Sequence, residues 1–206
     1  MKKVFIADDH EMFRMGLRTL LGTLDSLQLV GEAGTGAETL ARLRQTPVDL
    51  LILDHSMPDG TGLEVLQALQ KEALLNLDVI LLTANQSPLI FQQAVEAGVS
   101  GVVTKSGSGE ELLLTIEQVL ASNRYLTPAA SKILKTAPWL GELTRRETEV
   151  MLALLEGLEL QQIADSFSVS YKTIETHKTR LMSKLGVHSS QTLLALARRT
   201  GLLSDQ

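Results

Sequence analysis

Val48-Asp49-Leu50-Leu51-Ile52-Leu53 runs almost without a polar break and stops at Asp54. So short an apolar run, rich in branched side chains, is what a strand covered on both faces requires. Four similar runs accompany it: Val4–Ala7, Leu29–Ala33, Val79–Leu82 and Gly101–Thr104. Between them, amphipathic patterns place helices near 12–25, 36–45, 62–71, 88–97 and 109–121. Strands that alternate with helices imply an α/β architecture, a doubly wound five-stranded parallel sheet covered by helices on both faces. Right-handed crossovers then put the working crevice at the carboxyl ends of the strands.

The alternation stops at residues 122–141, where two of the five prolines stand with Ser and Gly, the composition of a linker with one short helical turn. Beyond it the strand signals vanish. Helices are expected near 145–156, 160–166, 171–184 and 190–200. Thr144 and Glu147 have the spacing of a capping box at the first of them, and Gly201 suits a helix-terminating position at the last. The expected organisation is therefore an α/β domain over 1–121, a linker over 122–141 and a small all-α domain over 142–206.

Composition narrows the function. The chain has 206 residues, of which 44% are hydrophobic and only 3% aromatic, so its cores must be aliphatic. It has no cysteine, which excludes disulfides, thiolate metal sites and cysteine nucleophiles. No apolar run reaches the roughly 18 residues of a membrane span, and the start is too short for a signal peptide, so a cytoplasmic protein with no membrane partner is expected. Charge divides unevenly. Residues 1–120 hold 8 Lys and Arg against 16 Asp and Glu, a net of −8, whereas residues 121–206 hold 11 against 8, a net of +3. One half is suited to cations and the other to polyanions.

Each candidate polar group of the first half stands at the end of an expected strand. Asp8 and Asp9 follow the first, Asp54 ends the third, Thr83 the fourth and Lys105 the fifth. A strand-end Asp commonly caps a helix, and an isolated Lys is commonly solvated. Five such groups on one sheet edge call for a joint explanation. Crowded carboxylates repel one another and a hard divalent cation relieves them, with oxygen donors favouring Mg²⁺ or Mn²⁺. A carboxylate beside a cation and an ammonium can attack a phosphoryl group while the Thr83 hydroxyl and Lys105 meet its oxygens.

These residues resemble a response-regulator receiver domain, of flavodoxin-like fold: Asp8-Asp9, then Leu53-Asp54-His55-Ser56-Met57-Pro58-Asp59-Gly60-Thr61-Gly62, then Leu82-Thr83-Ala84, then Lys105. The resemblance implies that Asp54 is the phosphoacceptor. It implies that Asp8, Asp9, Asp54 and the Ser56 carbonyl hold Mg²⁺ or Mn²⁺, and that Thr83 and Lys105 bind the phosphoryl group. One position departs from it: Val102 stands where receivers usually carry Tyr or Phe, so the aromatic switch lacks its residue. His55 and His10 are read as structural.

In the second half, Gln161–Ser170 has apolar Ile163, Ala164, Phe167 and Val169 to pack a turn, and Ser170 to cap the next helix. On that helix Ile174, Leu181 and Leu185 form the buried stripe. The opposite face carries Lys172, Thr176, Thr179 and Ser183, with Arg180 at its edge, side chains that suit a DNA major groove. Lys178, Lys184, Arg145 and Arg146 are expected at phosphates, and Lys172, Thr176 and Thr179 near bases, with Thr173 beside them. Leu143–Val150, Ile163-Ala164, Ser170–His177 and Lys184–Val187 resemble the LuxR-type helix-turn-helix of NarL/FixJ regulators. That resemblance implies a transcription regulator rather than an enzyme, with a sensor histidine kinase, promoter DNA, a second copy of itself and RNA polymerase as partners. The departure at Val102 keeps a second reading open, a DNA-binding regulator that needs no phosphorylation. A haloacid-dehalogenase-type phosphatase needs Asp-x-Asp, which Asp54-His55-Ser56 lacks. A flavin-mononucleotide protein needs a phosphate cradle where Asp8-Asp9-His10-Glu11 would repel one.

Overall fold

The structure, a computed structural model, describes residues 1–72, 76–122 and 124–203. Residues 73–75, 123 and 204–206, which the expected domain and linker boundaries include, lie outside the described residues. Contacts divide the chain into two compact units: Met1–Gln86 with Gln93–Lys132, and Ser87–Gln92 with Ile133–Gln206.

The first unit is built on a parallel sheet. In chain order its elements are β1 (Lys2–Ala7), α1 (Glu11–Leu21), β2 (Leu27–Ala33), α2 (Gly36–Leu43) and β3 (Leu50–Asp54). A small hairpin of β4 (Ser56–Met57) and β5 (Gly60–Thr61) follows, then α3 (Gly62–Lys71) and β6 (Asp78–Thr83). Next come α4 (Pro88–Glu96), whose residues up to Gln92 group with the second unit, then β7 (Gly101–Thr104), α5 (Gly109–Ser122) and β8 (Tyr125–Leu126). The sheet order is β2-β1-β3-β6-β7-β8, and the chain reverses direction across the sheet between β1 and β3. The ends of those two strands therefore flank the crevice. All five residues of β3 are buried. On one face Val4, Ile6, Leu50, Ile52, Ile80, Leu82 and Val103 pack with Leu17 and Leu21 of α1 and Leu112, Ile116 and Val119 of α5.

The expected five strands are corrected to six, because Tyr125-Leu126 pairs with β7 in register Gly101↔Tyr125 and Val102↔Leu126. Other described residues of the expected linker form α6 (Pro128–Thr136) and a 3₁₀ helix over Pro138–Glu142. Its prolines begin helices here. Each stands at a first helical position, where a missing N–H costs nothing, and Thr127 caps α6 through its hydroxyl to Ala130 N–H at 3.0 Å.

The second unit carries α7 (Arg145–Leu155), α8 (Leu160–Ser166), α9 (Tyr171–Leu185) and α10 (Ser190–Arg199). Thr144 and Glu147 form the expected capping box, Ser170 caps α9 through Thr173 N–H, and α9 ends on Gly186 at φ 62°. Val150, Met151, Ile163, Ala164, Ile174, Leu181, Val187 and Leu193 make its core. Among the described residues no helix is long and apolar enough to cross a membrane.

Candidate phosphoacceptor site and nucleic-acid interface

Topology brings the acidic pair, Asp54 and Lys105 together. Asp8 and Asp54 are buried, at 0% and 2% exposure, and the Lys105 ammonium lies 2.7 Å from Asp8 Oδ2 and 2.7 Å from Asp54 Oδ2. Phe13 of α1 puts its ring 4.8 Å from that ammonium. Burial pushes the Asp54 carboxyl above its ordinary range, and the Asp8 charge adds to the effect. The Lys105 hydrogen bond and charge oppose it without cancelling it. Burial by itself would lower the Lys105 ammonium, but its bonds to Asp54 and Asp8 outweigh that and hold it above its usual value.

The donor set fits a hard cation. One oxygen or nitrogen from each of Asp8, Asp9, His10 and Asp54 falls within 4.8 Å of the others. Asp8 Oδ2 is buried and meets the Lys105 ammonium at 2.7 Å without a well-directed hydrogen bond, so it keeps lone-pair capacity for a cation. Asp9 is exposed and pairs with His10 Nδ1 at 2.6 Å, and His10 N–H donates to Asp8 Oδ1 at 2.8 Å. His10, Ser56, Ala84, Phe13, Asp54 and Lys105 line a cavity of about 450 Å³ above the carboxylates.

Thr83 is buried at the end of β6, but its hydroxyl faces its own loop. It accepts from Asn85 N–H and donates to the Asn85 carbonyl, both at 3.0 Å. Ser56 N–H donates to Asp54 Oδ1 at 3.3 Å, which leaves the Ser56 carbonyl unused by that bond. His55 is held below its usual value by burial, with Asp54 opposing, and its Nδ1 finds no partner. Two residues of the motif itself support the loop after Asp54. Asp59 accepts from Gly36 and Ala37 N–H, both at 2.8 Å, and so ties the loop after Asp54 to the start of α2. Gly62 lies so close to Asp54 that an added Cβ would sit 2.3 Å from its carbonyl oxygen. The Asp59-Gly60 dipeptide signals a turn, but nothing local names α2 as its anchor.

In the second unit α9 presents Lys172, Thr173, Thr176, Thr179 and Arg180 exposed, with Lys178 only partly so. The Thr176 and Thr179 hydroxyls donate to the Lys172 and Glu175 carbonyls, at 2.8 and 2.9 Å, which leaves their oxygens facing outward as acceptors. Arg145 is 86% exposed and pairs with Glu149 at 3.0 Å. Arg146 bonds Glu149 at 2.7 Å and covers the Phe167 ring at 4.1 Å, so it braces α7 against α8. Lys184 is also put to internal use. Its ammonium bonds the buried Glu147 at 2.7 Å and the Glu142 carbonyl at 2.9 Å. A residue 37 positions away supplies that partner, and no local pattern could name it.

Comparison with known proteins identifies the family of both units. Residues 4–117 match the response regulator receiver domain, and residues 141–197 match the bacterial regulatory proteins of the luxR family. The transcriptional regulatory protein UhpA of Escherichia coli K12 is 38% identical over 196 residues, covering 95% of this chain and 96% of that one. The DNA-binding transcriptional activator DevR/DosR of Mycobacterium tuberculosis is 37% identical, with 91% and 89% covered. Among solved structures, RcsB of Salmonella enterica serovar Typhimurium, bound to promoter P1flhDC with phosphomimetic BeF₃⁻, superposes with a TM-score of 0.70 at 28% identity, covering 96% of this chain and 98% of that one. The chain belongs to the NarL/FixJ family of two-component response regulators, transcription factors rather than enzymes, with a receiver domain followed by a LuxR-type helix-turn-helix DNA-binding domain.

Proposed function

We propose that Asp54 is the phosphoacceptor of this regulator, that a sensor histidine kinase supplies the phosphoryl group, and that the modified chain pairs with a second copy on promoter DNA in the cytoplasm. The observation that carries the reading is the shared ammonium, with Lys105 2.7 Å from both Asp8 and Asp54 beneath an open cavity. The Asp54 carboxylate attacks phosphorus, an acyl phosphate forms, and the donor leaves with the bonding electrons. Lys105 stays beside the new group and neutralises one of its oxygens. Thr83 reaches the phosphoryl group only by giving up its two bonds to Asn85, which makes that loop the first thing phosphorylation moves.

Asp8, Asp9, Asp54 and the Ser56 carbonyl are the donors for Mg²⁺ or Mn²⁺, which when bound supplies positive charge against the entering oxygens. Mg²⁺ at tenfold its dissociation constant is expected to stabilise the receiver by about 1.4 kcal/mol, a rise of roughly 5 °C in melting temperature. Asp9→Asn should remove most of that rise. An Mg²⁺ response equal to the parent's would place the cation elsewhere.

Arg145, Lys178 and Arg180 are the phosphate contacts of the helical domain, and Lys172, Thr173, Thr176 and Thr179 face the bases. RNA polymerase is the further partner a promoter-bound regulator meets. Val102 favours a second reading. It is fully buried, in register between Leu81 and Leu126, with no aromatic ring to swing. Beryllofluoride, which mimics the phosphoryl group, separates the two. A phosphorylation-controlled regulator doubles its mass in light scattering and binds its duplex at least tenfold more tightly. Unchanged mass and affinity would establish the phosphorylation-independent form.

A further inference from the structure

Glu175 is the acid that α9 turns toward its exposed polar side, and it has no part in the phosphate and base contacts proposed for that helix. It stands beside Lys172, Thr176, Thr179 and Arg180 around one concavity of about 410 Å³. Its side chain is 42% exposed, and its Oε2 accepts from the Lys172 ammonium at 2.7 Å. The plain alternative is a solvated pair of one helical turn, worth a few tenths of a kcal/mol in an isolated helix. That account covers the pair but not its position, among side chains that this regulator carries to DNA.

A carboxylate brought into a major groove meets phosphate charge on both sides and base edges that are mostly acceptors. Guanine offers N7 and O6, and thymine offers O4. Two edges donate, the exocyclic amines of cytosine and adenine. Adenine sets its N7 acceptor beside its amine, where it repels a second carboxylate oxygen, whereas cytosine presents the amine without that neighbour. We infer that Glu175 is a specificity-determining residue, accepting a hydrogen bond from the N4 amine of one cytosine in each half-site. The inference rests on the proposal that α9 reads DNA. Lys172 holds the carboxylate in place before binding and keeps its charge tolerable in the groove. The acceptor oxygens of Thr176 and Thr179, one turn apart, face the same concavity.

The test uses the full chain with beryllofluoride and a pool of random duplexes, with bound sequences recovered and read. The parent protein is expected to enrich a half-site holding a nearly constant cytosine. Glu175→Gln, which keeps length and helix propensity but adds a donor, should lose that constancy with adenine entering the position. Its affinity for the parent site should fall by about ten- to a hundredfold. Glu175→Ala should lose the same preference and bind random duplex more tightly than the parent does, because a repelling charge has gone. Thr176→Ala serves as the control on the underlying proposal. If Thr176→Ala alters the recovered sequence and both Glu175 variants leave it unchanged, Glu175 is a solvated surface residue and the inference falls. If none of the three alters it, α9 is not the reading helix, and the inference falls with that proposal.

Discussion

Asp54→Asn is expected to take up no phosphoryl group from acetyl phosphate, where the parent chain should be labelled to about one group per molecule in the presence of Mg²⁺. The reason lies in the oxygen that must attack. In the parent, Asp54 Oδ2 faces Lys105 at 2.7 Å at the floor of an open cavity, and Ser56 N–H contacts Oδ1 at 3.3 Å. An amide keeps that shape but lacks the nucleophilic carboxylate. Asp8 and Asp9 remain, so a label that moved to either would survive the substitution. Stoichiometric label on Asp54→Asn would remove Asp54 from the role.

The same variant has a stability consequence of opposite sign. The Asp54 carboxyl lies above its ordinary range, so the folded protein holds its proton more firmly than the unfolded chain does. The ionised group therefore costs stability, the cost growing as pH rises past the unfolded value and complete above the folded one. Asn carries no such cost. In metal-free buffer at pH 7 the variant should melt higher than the parent, and the gap should close as pH falls into the carboxylate range. A protein that loses function and gains stability at one position carries a strained working group there.

Much of this site is legible in the sequence because parallel topology is a strong constraint. Once β3 is placed by Leu50–Leu53, the ends of β1, β3, β6 and β7 must share an edge, and the motif residues stand on those ends. The capping box at Thr144 and Glu147 is also readable, since its bonds are local. Three features are not. The prolines of 122–141 look alike as chain breakers and as helix starters, and only the Tyr125-Leu126 pairing with β7 and the Thr127 cap decide between the two. Lys184 lies on the basic side of α9 by periodicity, yet a buried carboxylate on α7 claims it. Thr83 stands at the strand end that its pattern indicates, but its hydroxyl bonds the Asn85 backbone, a partner set by the path of the loop after β6 and not by the strand pattern.

Removing the shared ammonium has the larger structural effect. Lys105→Met keeps most of the aliphatic stem beside Phe13 and deletes only the charge, so lost packing is a minor part of the damage. Two buried carboxylates, at 0% and 2% exposure, are then left without their common cation. Breaking a buried pair from one side costs more than the pair contributes, because the stranded charge keeps its desolvation penalty. A loss of about 3 kcal/mol is expected in metal-free buffer at pH 7, roughly 10 °C in melting temperature. The sign of the pH dependence is set by the groups left behind. Lys105 lowers the Asp54 carboxyl in the parent, so in the variant that carboxyl rises further and takes up a proton at higher pH. Protonation removes one of the two facing charges, so the variant gains stability as pH falls through that raised value and the difference from the parent narrows. Mg²⁺ should restore part of the loss at pH 7 by supplying the missing positive charge. Thermal melts of both proteins at pH 5 and pH 7, with chelator and with Mg²⁺, give all four comparisons. Equal melting temperatures at pH 7 under chelator would mean that water, not Lys105, balances the acidic floor of the cavity.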